Sequence, residues 1–245
     1  MKRMQTVWLL FLTWMSATAA AQSWLPDTAG RNCQLVRHEG YTLLYDECHE
    51  QARWVAYVLT KERVNGSVPR KGNDRFMPDT LVKTFSALPS DYTHSGYSRG
   101  HLAPAADMKW SVIAMRESFL MSNISPHTSA FNDGVWHRAE KLVRQWAEEY
   151  DSIYVITGPV LEEGLPTIGH QNHISIPRCF YKVVYDPARK RGIALIIEHQ
   201  NSGEPIQSFA VTIDEAESTT GINFFPGIDN EEAMESTINL SDWLW

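Results

Sequence analysis

Four β-rich segments in the second half of the chain constrain the fold most strongly. Turn residues separate them, and two similar segments, YTLLYDE (41–47) and RWVAYVLT (53–60), occur near the start. Strands in runs with a few helices inserted, rather than strict βαβ alternation, predict an α+β fold with a largely antiparallel central sheet flanked by helices. The four segments are SIYVITGPV (152–160), CFYKVVYD (179–186), GIALIIEH (192–199) and IQSFAVTI (206–213).

Two helices are predicted by different signals. Between Asn132 and Tyr150, apolar residues recur at three- and four-residue spacing with charged residues between them, which is typical of an amphipathic helix. The segment Thr212-Ile213-Asp214-Glu215 has the form of a capping box, so a short helix is expected to start there.

The segment from Lys61 to Tyr97 is polar and rich in breakers, including Asn65-Gly66 and several prolines. A loop of this length in a compact domain is commonly functional or disordered. Its basic residues are candidates for one edge of a binding surface, and a solvated loop is the alternative. These residues are Arg70, Lys71 and Arg75.

The first residues have the pattern of an export signal. Lys2 and Arg3 precede a mostly apolar run, and Ala19-Ala20-Ala21 supplies small residues for cleavage. The run is short for a membrane span. We therefore expect a signal peptide at 1–21, a single domain at 22–245, no membrane anchor after cleavage, and a periplasmic or secreted location. The oligomeric state stays open.

Charge and cysteine content limit the functional classes. The chain has 22 Lys and Arg against 29 Asp and Glu, a net charge of −7, which excludes a surface that attracts nucleic acid everywhere but allows a local basic groove. Cys33 and Cys48 flank a predicted hairpin, so a disulfide between them is conceivable in an oxidising compartment; its formation stays open.

Three polar clusters lie close together in the sequence: Arg99 with His101, then Asn123, then Asn132 with Glu140. In a regular helix, residues eight apart differ by ~80° from whole turns and by ~12 Å along the axis. Asn132 and Glu140 therefore share one side of the predicted helix. An amide oxygen that binds the metal, with a carboxylate that holds one of its waters, suits a hard cation that stays hydrated, as Mg²⁺ does.

These residues resemble the motifs of the DNA/RNA non-specific endonuclease family, which has a ββα-metal active site. The similarity rests on Arg99-Gly100-His101, on SNISP at 122–126, and on Asn132, Trp136 and Glu140. Further segments in family order, among them WVAY (54–57), ITGP (156–159) and TGINFF (220–225), extend it over nearly the whole chain.

The resemblance implies an exported, Mg²⁺-dependent endonuclease, with Mn²⁺ as an alternative ion, that cuts DNA and RNA with little sequence preference. DNA and RNA would be its partners, bound through a local basic groove. It also implies a role for each site residue. His101 would be the general base, Asn132 the metal ligand, Glu140 the group that orients metal-bound water, and Asn123 the residue that positions the base or the scissile phosphate, while Arg75 and Arg99 would neutralise phosphate charge.

Two positions depart from the family pattern. Ser98 stands where the family usually has aspartate, and His127 stands where it usually has glutamine. Serine brings no charge to the site. Two alternatives therefore stay open: a catalytically weakened relative that binds nucleic acid or a protein partner, and a phosphodiesterase that acts on small nucleotides.

Overall fold

The computed structural model describes residues 24–30, 32–229 and 231–245; the expected leader at 1–21 lies outside these ranges. The strands are β1 (Cys33–Arg37), β2 (Thr42–Asp46), β3 (Gln51–Thr60), β4 (Ser98–His101), β5 (Ile124–His127), β6 (Ser152–Pro159), β7 (Thr167–Ile168), β8 (Ile174–Ser175), β9 (Cys179–Asp186), β10 (Arg191–Glu198) and β11 (Ala210–Val211). Seven of them form an antiparallel sheet in the order β1-β2-β3-β6-β9-β10-β11.

The helices are α1 (Lys61–Val64), α2 (Val112–Glu117), α3 (Ser129–Phe131), α4 (His137–Tyr150), α5 (Ile213–Thr220) and α6 (Glu231–Glu235). A π-helical turn, Asn132–Trp136, joins α3 to α4. Short 3₁₀ turns occur at Pro89–Tyr92, Ala105–Asp107, Met121–Asn123, Ile206–Phe209 and Leu240–Asp242.

The sheet lies between two apolar layers because its strands alternate. On β3, Val55 packs into the cluster that contains α4, whereas its neighbours Trp54 and Ala56 pack into the cluster that contains α5 and α6. Both faces of the central strands are therefore buried. This arrangement confirms the predicted α+β fold with a mainly antiparallel sheet and flanking helices.

Strands β4 and β5 form a separate two-stranded ribbon next to the main sheet. They are antiparallel, with Ser98 opposite His127 and His101 opposite Ile124. The chain then enters α3, the π-helical turn and α4 without a break. This ββα unit is the part of the fold that brings His101, Asn132 and Glu140 together.

Several local predictions can be compared with these elements. The predicted strands at 152–160, 179–186 and 192–199 agree with β6, β9 and β10 to within one residue at each end. The predicted strand at 206–213 is wrong, since Ile206–Phe209 forms a 3₁₀ turn after Pro205 and β11 has only two residues. The capped helix at 213 is confirmed: the Thr212 side chain accepts a hydrogen bond from the Glu215 amide.

The cysteine question is also answered. Cys33 lies opposite Asp46 in the predicted hairpin, two residues short of Cys48, and the structure contains no disulfide between them. Within the described ranges, no helix is both long and apolar enough to cross a membrane.

Candidate functional site

A cavity of about 690 Å³ opens beside the ββα unit. Most of its lining comes from residues 66–70 of the long loop, residues 101–109 around the end of β4, and the helical segment from 132 to 144, with Met115 of α2 beside them. It brings together one residue of the first predicted cluster and both residues of the third. These residues are His101, Asn132 and Glu140.

His101 ends β4 and lines the cavity with a neutral imidazole. Its ring packs edge-on against Phe119 with 4.8 Å between centroids and also contacts Phe76. Burial lowers the pKa of His101 to about 4; nearby Glu140 acts in the opposite direction and Arg70 in the same one. Its Nε2 is buried and has no hydrogen-bond partner among the described residues. The ring is therefore uncharged at neutral pH.

Gly100 is a glycine in β4 because the His127 ring lies too close for a side chain. A Cβ atom at this position would lie 2.1 Å from Cγ of His127, on the paired strand β5. Gly100 lies within a regular strand, so it is not there to allow a backbone turn. Its function is instead to leave room for the His127 ring.

His127 is buried among aromatic rings and contacts the expected metal ligand. Its Nδ1 lies 3.2 Å from Oδ1 of Asn132, while the Asn132 amide nitrogen donates to Asp133. An amide oxygen can only accept, so Nδ1 of His127 carries the hydrogen. Burial lowers the pKa of His127 well below its usual value, which keeps the ring neutral. His127 thereby fixes which way the Asn132 oxygen points.

The start of the helix is held by a loop that the sequence did not single out. Gly134 has non-helical backbone angles (φ −100°, ψ −111°), which places a kink inside the π-helical turn. The Oδ1 atom of Asn201 accepts a hydrogen bond from the Val135 amide, and it lies so close that a Cβ at Gly134 would be 2.0 Å away. This loop caps the interrupted helix and sets the position of Asn132.

Glu140 lies in the first turn of α4, and its carboxylate is 3.7 Å from Nδ1 of His137. The residues beneath it form a charged layer between helix and sheet. Lys182 of β9 is buried against the Trp136 ring at 4.1 Å, and burial lowers the pKa of this lysine to about 8 while Glu140 acts against that shift. A lysine within an apolar strand was the available sequence signal, and it was missed.

Asp107 connects this layer to the segment that follows β4. It is buried and accepts hydrogen bonds from Tyr57 at 2.8 Å and from Arg144 of α4 at 2.9 Å. The indole of Trp136 also donates to the carbonyl of His101 at 3.3 Å. Because these bonds join the helix to the His101 segment at two levels, they hold the two sides of the cavity at a fixed separation.

Asn123 lies behind the cavity rather than in it. It is fully buried, its side chain exchanges two hydrogen bonds with the backbone of Ala103, and it donates a third to Ser118. Its carbonyl accepts from the Leu102 amide. Three of these four contacts fall on Leu102 and Ala103, the residues directly after His101. Of its two expected roles, this geometry favours positioning of the base.

The two predicted phosphate-binding arginines lie outside the cavity. Arg99 is half-buried, donates to the carbonyl of Pro89 at 2.7 Å and stacks over Phe76. Arg75 is exposed, because the next residue, Phe76, packs inward against His101. The cations that do line the cavity come from the same loop, from the segment after β4 and from α4. They are Arg70, Lys109 and Arg144.

The donor set of the cavity fits a hydrated hard cation. Asn132 offers an amide oxygen, and Asp133 and Glu140 offer carboxylate oxygens, the ligand types that Mg²⁺ and Mn²⁺ prefer. Within residues 24–30, 32–229 and 231–245, a group of three mutually close acidic, histidine or cysteine ligands occurs only elsewhere, at α5 and α6. The described residues of the cavity therefore form no closed protein cage for an ion.

Comparison with known proteins identifies the family. The sequence profile of the DNA/RNA non-specific endonucleases matches residues 26–231. The chain belongs to the DNA/RNA non-specific endonuclease family. It is 32% identical over 218 residues to the mitochondrial nuclease EXOG of Mus musculus (82% of this chain, 59% of the relative). It is 33% identical over 209 residues to the mitochondrial endonuclease G of Homo sapiens (80% and 70%).

The structure agrees with this assignment. A chain of the crystal structure of the EndoG/EndoGI complex superposes with a TM-score of 0.76 at 28% identity, over 87% of this chain and 94% of that one. The family and the fold predicted from the sequence are thereby confirmed. The predicted enzyme class is confirmed as well, because the relatives are named as nucleases. The chain spans 57–65% of the length of the first three curated relatives it matches.

The expected location is contradicted by the same comparison. The EXOG and endonuclease G relatives, together with nuclease 1 of Schizosaccharomyces pombe, are named as mitochondrial proteins. The prediction of an exported, periplasmic or secreted endonuclease is therefore wrong. A basic start followed by a short apolar run was not sufficient to distinguish an export signal from other targeting sequences.

Proposed function

We propose that the protein is a Mg²⁺-dependent endonuclease that hydrolyses phosphodiester bonds of DNA and RNA with little sequence preference. One observation carries this proposal: a single cavity contains a neutral histidine, an amide oxygen and a carboxylate next to arginine and lysine side chains. A base, an oxygen site for a hydrated cation and positive charge are what phosphodiester hydrolysis requires.

The substrate preference follows from the charges that border the cavity. Arg70 and Lys109 present cations to a polyanion, and arginine offers a planar fork that matches phosphate oxygens. Contacts of this kind bind the backbone and carry no base information. DNA and RNA share the phosphodiester linkage, which supports activity on both.

His101 acts as the general base in this mechanism. Its ring lines the cavity while Nε2 is buried, so we assign Nδ1 as the atom that takes a proton from the attacking water. Arg70 and Lys109 stabilise the negative charge that develops on the phosphate. Glu140 accepts hydrogen bonds from water in the cavity and so holds it beside His101.

Asn132 would hold the metal ion through its amide oxygen, and His127 keeps that oxygen in place. When bound, Mg²⁺ supplies a Lewis acid that offsets charge on the phosphate oxygens; Mn²⁺ is the expected alternative. Asn123 fixes the backbone that follows His101 and contributes through the position of that base.

The test is digestion of plasmid DNA and of a long RNA by the purified full chain in Mg²⁺, with EDTA as one arm. We expect cleavage of both polymers by wild type, loss with EDTA, and at least ~100-fold slower cleavage by His101→Ala. His173→Ala, at an exposed loop position, is the matched control and should retain full activity.

The alternatives give different results in the same experiment. A dinucleotide cleaved faster than long DNA would indicate a phosphodiesterase of small nucleotides. Intact plasmid in every sample, with retained binding, would indicate a non-catalytic relative, and Ser98→Asp would then be the variant to examine. Equal cleavage by wild type and His101→Ala would contradict the assigned base.

A further inference from the structure

Three carboxylates form a cluster on the face of the sheet that is covered by α5 and α6. Asp214 and Glu217 are three residues apart on α5, so they face the same way. Glu235 is the last residue of α6. One carboxylate oxygen from each of the three residues lies within 4.8 Å of the others.

Glu235 is the unusual member of this cluster. Its side chain is only 4% exposed, yet its Oε1 atom has no hydrogen-bond partner in the part of the chain that the structure describes. A buried carboxylate without a partner is costly, and native proteins pair such groups or use them to coordinate metals. This oxygen lacks the ligand that its burial requires.

Charge around the cluster points to a cation as that ligand. No Lys, Arg or His in the described ranges forms an ion pair with any of the three carboxylates. The described residues therefore supply no cation that pairs with the cluster.

The local backbone holds the ligands in place. The Phe224 amide donates to Oε1 of Glu217 at 2.8 Å, and the Thr212 cap fixes the first turn of α5. Both helices pack on β10 at Gly192, where an added Cβ would lie 2.4 Å from Ile213 and 2.5 Å from Met234. The two carboxylates of α5 and the one of α6 are thus presented by elements that rest on one strand.

We propose that Asp214, Glu217 and Glu235 bind a Ca²⁺ ion that joins α5 to α6. The oxygen-only donor set suits a hard cation, and Ca²⁺ takes several carboxylate ligands in flexible geometry at roughly 2.3–2.6 Å. Mg²⁺ demands near-ideal octahedral geometry and is usually held by only one or two carboxylates and several waters. The ion stabilises the fold and takes no part in the chemistry of the cavity.

The test is the thermal unfolding of the full chain, stripped of metal by a chelator and then supplied with CaCl₂ or MgCl₂. With Ca²⁺ at 100 times its dissociation constant, Tm should rise by about 5–10 °C. Glu235→Gln and the exposed Asp214→Asn should lose this shift, and Glu232→Gln, an exposed glutamate on the same helix, should keep it.

A second variant separates this site from the cavity. Asn132→Ala removes the proposed ligand of the catalytic ion and should keep the Ca²⁺ shift in Tm, whatever its nuclease activity. The proposal is overturned by an unchanged Tm up to ~10 mM Ca²⁺, a concentration above that of weak extracellular sites, by a full shift in Glu235→Gln, or by a shift that only Mg²⁺ produces.

Discussion

At the scale of single residues, the protonation state of His101 can be measured most directly. Burial lowers its pKa from 6.5 to about 4. We expect kcat/KM, which reports groups of the free enzyme, to stay level from pH 8 to about pH 6 and to fall towards pH 4. The measurement is a pH profile of plasmid cleavage at constant ionic strength, and a half-maximal rate near pH 6.5 would contradict it.

The same shift affects stability with a definite sign. Between pH 6.5 and about 4, an unfolded His101 binds a proton that the folded residue does not, so the His101 contribution to stability is lost as the pH falls through this window. His101→Phe, which cannot titrate, should show a weaker decrease of the unfolding free energy over this range. Parallel curves for the two proteins would count against a buried neutral histidine.

His127 provides a second test at the scale of one residue. His127→Phe keeps an aromatic ring but removes the Nδ1 donor to Asn132. The Asn132 amide then keeps only its hydrogen bond to Asp133 and is held less firmly, so the Mg²⁺ concentration for half-maximal cleavage should rise by about 10-fold or more. His127→Gln, which restores a donor, should show a smaller rise. Calorimetric titration of Mg²⁺ checks the affinity without turnover, and an unchanged affinity in His127→Phe would rule out this role.

Residue types alone did not decide which arginine reaches the cavity. Arg70 and Arg75 belong to the same polar loop, and both suited a phosphate contact. The packing of Phe76 against His101 turns Arg75 outward, whereas Arg70 borders the cavity. Side-chain direction in an irregular loop depends on tertiary contacts, which no local pattern in the sequence records.

At the scale of secondary-structure elements, β4 and β5 can pack together only because Gly100 has no side chain. Gly100→Ala would place a methyl group 2.1 Å from the His127 ring, so the ribbon would have to separate. We expect a loss of about 1–3 kcal/mol in unfolding free energy, together with reduced cleavage, since His101 follows directly. Gly203→Ala, where nothing lies within 4 Å, is the matched control in urea denaturation. Equal stability of the two variants would contradict this account.

The elements differed in how well the sequence predicted them. The long strands β6, β9 and β10 were predictable because continuous apolar runs between turn residues are local signals. Residues 206–209 have a similar composition but follow Pro205, and the chain forms a 3₁₀ turn there. The helix with Asn132 and Glu140 was predicted from its apolar spacing, but its earlier start at Ser129 and its kink at Gly134 were not. The kink depends on Asn201, 67 residues away, and is therefore outside any sequence window.

For the whole molecule, two charge properties determine how a polyanion binds: the acidic net charge and the few cations that border the cavity. At −7, the chain repels a polyanion except near Arg70 and Lys109. The logarithm of kcat/KM should therefore fall linearly with the logarithm of the NaCl concentration. Arg70→Gln should lower the steepness of that line by about 0.7–0.9, the value for one phosphate contact. Arg75→Gln should change it less, and a flat salt profile for wild type would contradict binding through phosphates.

At the same scale, the order of the polar clusters along the chain indicated the family, and the ββα unit shows why their intervals matter. His101, Asn132 and Glu140 meet only if β4 and β5 pair and the helix follows at once. These intervals could be recognised in the sequence because they resemble those of the family. The charged layer of Asp107, Arg144 and Lys182 beneath these residues could not, because its members come from three segments with no shared motif.

The π-helical turn has a consequence for the angular phase of the helix. Such a turn accommodates one extra residue, so residues eight apart across it behave as if they were seven apart, ~20° from two complete turns instead of ~80°. The widened turn at Gly134 thus rotates Asn132 into line with Glu140. If the same eight-residue interval formed a regular α-helix, both side chains would remain in the sequence but the amide would turn by ~100° relative to the carboxylate. The direction of the Asn132 amide is therefore set by the winding of the helix between the two residues as much as by their identity.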